Sequence, residues 1–203
     1  VRRCALESLE KFFRSLKSST VIKEASRLVL SELKRCIDLT MKLTAPRTVD
    51  ACKDNRISKN EHLEVLHVLN VVNLVAPNLS PKIVPKVLSE VHKLFGSQIP
   101  ALTRHALKTV EAIFETSRDR NIVLELGDIV VSLASFVSLG DKNPLDTVIL
   151  AATVLKLAMD LLYTGQSSLW IKNLALVCQS MMGMYDASMF IHYRNDLIVI
   201  NLI

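Results

Sequence analysis

The chain has 203 residues, half of them hydrophobic, with a mean hydropathy of +0.31 and a formal charge of +5. That length holds one compact domain or a short row of helix pairs. No apolar run reaches about 18 uncharged residues, which argues against a membrane-spanning helix, and four scattered cysteines without a Cys-x-x-Cys pair argue against a zinc module.

Arg2 to Lys17 reads as an amphipathic helix with Ala5, Leu6, Leu9, Phe12, Phe13 and Leu16 inside. Val1 opens in the middle of this pattern, and no secretory signal precedes it, so the chain reads as a piece of something longer. Ser18-Ser19-Thr20 breaks the helix and offers a cap to the next. Val21 to Leu43 is a long second helix, with Ile22, Ala25, Leu28, Val29, Leu33, Cys36, Ile37 and Met41 expected to face inward.

A linker is expected over about 44–60. Ala45-Pro46 resists helix, and Arg47, Lys53, Arg56 and Lys59 make the segment basic. Glu61 to Val75 is apolar nearly all round, which predicts a helix covered on several sides. Ser80-Pro81 has the form of a helix start, and Ile83, Val84, Val87, Leu88, Val91, Leu94 and Phe95 recur at helical spacing opposite Lys82, Lys86, Glu90 and Lys93. Pro85 is expected to bend or delay the first turn, and Gly96 to end the helix in left-handed backbone.

Pro100 starts the next helix, with Leu102, Ala106, Val110, Ile113 and Phe114 on its apolar face. A further helix from about Arg120 carries Ile122, Leu126, Ile129, Val130, Leu133, Phe136 and Val137. Gly140 to Pro144 is a strong turn. Leu145 to Tyr163 then buries Val148, Ile149, Ala152, Leu155, Ala158, Met159 and Leu162. A last helix is expected around Leu169 to Met181, capped by Ser167 or Ser168. Residues 183–203 lose the two-faced pattern, and the run Leu197 to Ile203 reads as a strand or a sticky tail.

Ala101 and Leu145 begin similar helices 44 residues apart, and Glu61 precedes Ala101 by 40. Helix pairs at about 40–47 residues are the HEAT and armadillo period. No pair buries its apolar face alone, so stacked neighbours share one core. The expected fold is therefore all-α, an α-solenoid of HEAT/armadillo-type helix pairs over residues 1–182, with an atypical tail at 183–203. A globular helical bundle is the alternative.

Charge is uneven. Residues 1–59 carry 14 lysines and arginines against 7 acids, while the remainder carries 11 against 13. A basic third suits nucleic acid or an acidic partner, although the same residues also serve as a solvated helix face. The candidate RNA-phosphate contacts are Arg14, Lys17, Lys34 and Arg35 on the first two helices, with Arg47, Lys53, Arg56 and Lys59 on the linker. No aromatic RNA-recognition motif accompanies them. His62 and His67 are five apart, which is the wrong spacing for a helical metal pair, and only five glycines occur, with no phosphate-cradling loop. No catalytic, cofactor or metal residue is assigned. Cys4, Cys36 and Cys178 read as small core residues with reduced thiols.

The blocks Leu63-Glu64-Val65-Leu66-His67-Val68-Leu69, Ala76-Pro77-Asn78-Leu79, Lys86-Val87-Leu88 and Ala101-Leu102-Thr103-Arg104-His105-Ala106-Leu107 resemble the N-terminal HEAT-repeat region of the ribosomal-RNA-processing-protein-twelve-like family. The resemblance covers Val1 to Tyr163 in repeat phase and residue class. It implies a non-enzymatic scaffold of ribosomal RNA processing, subunit assembly or export, located in the nucleus and nucleolus with shuttling to the cytoplasm. The implied partners are proteins of the pre-ribosomal particle, with ribosomal RNA and nuclear transport factors as further candidates and no membrane. The alternative is a HEAT-type nuclear-transport or trafficking adaptor that binds proteins only.

Overall fold

The computed structural model describes residues 2–44, 57–97, 99–116, 126–138 and 143–165, together with Leu174 and Val177. Every regular element among these residues is helical: α1 (Arg2–Ser15), α2 (Ser19–Thr44), α3 (Ile57–Val75), α4 (Val84–His92), α5 (Pro100–Thr116), α6 (Leu126–Ser138) and α7 (Leu145–Gly165). The chain divides into two compact units, 1–109 and 110–203, with the boundary inside α5. The expectations for residues 45–56, the start of α6, the helix around 169–181 and the tail 183–203 fall on segments outside the described residues, apart from Leu174 and Val177.

In the first unit α2 packs against α3 and α4, and α1 packs against α3. The row of α2 that is buried runs Ser26, Leu30, Leu33, Ile37 and Thr40, at helical spacing. This corrects the sequence expectation in both directions. Leu28 and Met41, expected inside, are 66% and 40% exposed, while Ser26 and Thr40 take core positions. Ser26 tolerates burial because its hydroxyl is used twice. It donates to the Ile22 carbonyl at 2.7 Å and accepts the Ser80 N–H at 3.0 Å. A buried hydroxyl without such partners would be destabilising. On α1, Phe13 is buried while its neighbour Phe12 is half exposed, the two rings meeting edge to face.

Helix α3 begins at Ile57, earlier than expected, so Lys59 stands in its first turn and not in a linker. Val65, Leu69, Val72 and Val75 are fully buried, Leu66, Val68, Val71 and Leu74 are half-buried, and Leu63 is exposed. An all-round apolar helix thus reaches graded burial because α1 and α2 both contact it. A 3₁₀ turn, Ala76–Asn78, then leads into extended backbone at Leu79.

Ser80-Pro81 forms a turn, with the Ser80 carbonyl accepting the N–H groups of Ile83 and Val84 at 2.8 and 3.3 Å. The α-helix starts only at Val84, which leaves Pro85 in its first turn, where a missing N–H costs nothing. The delay expected from Pro85 is therefore present. The end of α4 is different from expectation: it tightens into a 3₁₀ turn over Lys93–Gly96, and no described glycine has positive φ. Gly96 is not a left-handed stop. Glu90, expected on the wet face, is buried.

On α5 the five expected core residues are all buried, together with Leu107, Thr103 and Thr109. Thr109 hydroxyl donates to the His105 carbonyl at 2.8 Å, which satisfies it inside the helix. Thr103 donates toward the carbonyls of Leu94 and Ser97 at 3.4 and 3.3 Å, and so ties the start of α5 to the turn before it.

In the second unit α6 and α7 pack on each other. Ile129, Val130, Leu133, Ala134 and Val137 of α6 are buried, as are Val148, Ala151, Ala152, Val154, Leu155, Ala158 and Leu162 of α7. The four buried alanines lack bulk, which lets two helix backbones approach closely. Among the described residues no helix is long and apolar enough to cross a membrane.

Candidate interaction surface

The candidate phosphate contacts divide into two kinds. Arg14 sits in the last turn of α1 and Lys17 in the turn that follows, and both are exposed. Lys17 lines a partly polar groove of about 360 Å³ with Ser19 of α2 and the segment Pro77 to Pro81. The groove has a defined shape because the Ser26–Ser80 hydrogen bond holds that segment against α2.

Lys34 and Arg35 are engaged within the fold. The Lys34 Nζ lies 3.6 Å from one Glu90 carboxylate oxygen, and the Lys93 Nζ lies 2.6 Å from the other. Glu90 is only 7% exposed, so two flanking ammonium groups are what make its charge tolerable there. This three-residue clasp links α2 to α4. Arg35 makes a forked contact with Glu32, at 2.6 and 3.0 Å, and reaches Glu64 of α3 at 3.5 Å. The hydrogen bonds from Arg35 hold the Glu32 carboxyl below its usual range and outweigh the opposing effect of burial. The same bonds raise Arg35 above its already high value. Burial pushes the neighbouring Cys36 thiol up, and the nearby Arg35 charge only partly offsets this.

Arg47, Lys53 and Arg56 lie outside the described residues. Lys59 is placed by its backbone in the first turn of α3. The structure therefore does not gather the eight candidates into one described patch. Among the described residues there is no group of three or more His, Cys, Asp or Glu that would hold a metal.

A second feature escaped the sequence reading. An apolar groove of about 290 Å³ runs between α1, α2 and α3. Leu9 and Phe13 of α1, Ala25 and Val29 of α2, and Val68 and Val71 of α3 line it, with Phe12, Leu28 and Glu32 as its exposed members. The exposure of Leu28 was the missing signal. Leu28 stands at the margin of the α2 apolar face, and periodicity does not tell how far round that face a neighbour reaches. A groove of this composition receives apolar side chains, whereas the Lys17 groove offers a cation and hydroxyl groups to polar or anionic ones.

Comparison with known proteins gives one family. The family described as RRP12-like, N-terminal HEAT repeats, matches residues 1–121, more than half of the chain. No curated protein matches, and no solved structure matches. The match and the all-helical fold agree with the repeat period and with the residue blocks at 63–69, 76–79, 86–88 and 101–107. The fold class is the all-α solenoid of HEAT-type helix pairs, and such a fold serves as a helical-repeat scaffold. The chain belongs to the RRP12-like family, in its N-terminal HEAT-repeat region.

Proposed function

We propose that this chain is a non-enzymatic scaffold of ribosomal RNA processing, subunit assembly or export, working in the nucleus and nucleolus. The single observation that carries this reading is the family match over residues 1–121. The basic α1–α2 segment supports a contact with ribosomal RNA, in which Lys and Arg to phosphate supply the affinity. Proteins of the pre-ribosomal particle are the principal partners, with nuclear transport factors for the export step. The assignment names no catalytic residue.

Affinity purification of the tagged chain tests it directly. Pre-ribosomal RNA and assembly factors are expected in the eluate, and their absence from a clean preparation overturns the reading. RNA binding is expected to weaken as salt rises. Lys17→Gln is expected to lower the slope of log affinity against log salt by about 1, whereas Lys34→Gln leaves the slope nearly unchanged because Glu90 already holds that charge.

One observation favours a second reading, an adaptor for nuclear transport or trafficking that binds proteins only. Lys34 pairs with Glu90 and Arg35 with Glu32 and Glu64, so part of the positive charge of two candidate phosphate ligands is matched within the fold. Capture of protein partners with no RNA affinity even at low salt selects it.

A further inference from the structure

We propose that Ser80 is the acceptor of a proline-directed protein kinase, and that its phosphate seats in the polar groove beside Lys17. Only the consequence for RNA rests on the scaffold reading above. The modification and its seat stand without it.

The first argument is the acceptor. Ser80-Pro81 is the only place in the chain where proline follows serine or threonine. A proline there marks the acceptor for kinases whose pocket takes the ring and asks for no amide hydrogen at that position. The dipeptide lies in the connector between α3 and α4, where the backbone passes from a 3₁₀ turn through extended Leu79 into a further turn. No α-helix has to unwind to present it. Pro77, Pro81 and Lys82 are exposed, and Ser80 is half-buried. The Ser80 N–H is spent on the Ser26 hydroxyl, and its carbonyl accepts from Ile83 and Val84. Both backbone groups are thus committed, while the residue itself lines an open groove. Leu79 is buried, so presentation to the kinase is a local opening of this connector.

The second argument is the seat. Lys17, Ser19, Asn78 and Ser80 line one groove of about 360 Å³, larger than a phosphate group. Among the residues that line it, Lys17 alone is charged. Ser19 is the first residue of α2, which brings the positive end of a 26-residue helix to the same place. The side chains of Ser19 and Asn78 are hydrogen-bond donors to phosphate oxygens. In the transfer, the Ser80 Oγ bonds to the γ-phosphorus of a nucleoside triphosphate and the bond from that phosphorus to the diphosphate breaks. The hydroxyl proton passes to the base of the kinase, and the diphosphate leaves. The product adds a charge of about −1.5 to −2 and three strong acceptor oxygens, so the groove changes sign. The Lys17 ammonium then serves a phosphate of this chain and is withdrawn from RNA.

The test treats the folded full chain with a purified proline-directed kinase and magnesium ATP. Mass spectrometry is expected to find a single added phosphate, on Ser80. Ser80→Ala is expected to lose it, and so is Pro81→Ala, which keeps the hydroxyl and removes only the ring. Phosphorus NMR then follows the phosphoserine. Its second pKa, ordinarily about 6, is expected to lie about 0.5 lower in the parent than in Lys17→Gln. Binding of a short single-stranded RNA is expected to weaken about five- to tenfold at about 0.1 M salt, the loss of one phosphate contact. Lys17→Gln is expected to remove most of that difference.

Labelling that appears only after denaturation, or that falls on another residue, overturns the proposal. So does equal labelling of Pro81→Ala. Identical phosphoserine titration in the parent and in Lys17→Gln puts the phosphate outside the groove and overturns the seat. RNA affinity that Lys17→Gln weakens and phosphorylation leaves unchanged overturns the seat as well. Failure here is distinct from failure of the scaffold reading. An unmodified chain that binds no RNA removes the RNA contact alone, and the labelling and the titration still decide the proposal.

Discussion

Ser26 shows how a single polar atom places a whole segment. Its hydroxyl both satisfies itself on Ile22 and receives the Ser80 N–H, 54 residues away in sequence. Ser26→Ala is expected to cost about 1–2 kcal/mol in urea unfolding, because it leaves the Ser80 N–H without its acceptor. Gly96 gives the opposite case. Its φ is not positive, and a Cβ there would meet nothing within 4 Å. Gly96→Ala is expected to stabilise the chain by about 0.4–1 kcal/mol by narrowing the unfolded ensemble, seen as a higher urea midpoint. Had the glycine been the left-handed stop that its position suggested, the same change would destabilise.

At the scale of the element, the charged residues of α2 act as connectors as well as surface. Glu32 is held below its usual pKa by Arg35, so the folded state favours its ionised form. That contribution is present above the ordinary glutamate value near 4.3 and is lost as pH falls through the lowered folded value. Glu32→Gln is therefore expected to leave a smaller loss of stability between neutral pH and pH 3 than the parent shows, and the effect is small because the pair is half exposed. The clasp on Glu90 is less solvated. In a double-mutant cycle, Lys34→Met and Glu90→Gln are expected to couple by about 0.5–1.5 kcal/mol, measured by denaturant unfolding. Additive effects would mean that Lys93 alone satisfies the carboxylate.

At the scale of the whole molecule, stability comes from apolar rows that neighbouring helices cover. Leu33 is fully buried on α2, while Leu28, five residues earlier, is two-thirds exposed. Leu33→Ala is expected to cost about 2–5 kcal/mol and Leu28→Ala little, by the same unfolding assay. Repeat proteins sum such local interfaces, with each helix pair resting on the next.

Residue pattern was enough for the helical class and for the positions of α5 and α7, because a period of 3.6 residues and a repeat of about 40 are written along the chain itself, while the family resemblance was carried by the residue blocks at 63–69, 76–79, 86–88 and 101–107. All five predicted core residues of α5 are buried. Pattern did not resolve the margin of the α2 apolar face, where packing of α3 and α4 buries Leu30, Leu33 and Ile37 and leaves Val21, Leu28 and Leu39 exposed. Nor did it reveal that Glu90 is buried, or that Lys34 and Arg35 have acidic partners 56 and 29 residues further along. Periodicity reports which side chains share a face. Which face meets a neighbour, and which charge meets its counter-charge, depends on contacts between residues far apart in the chain, and those exist only once the helices have packed.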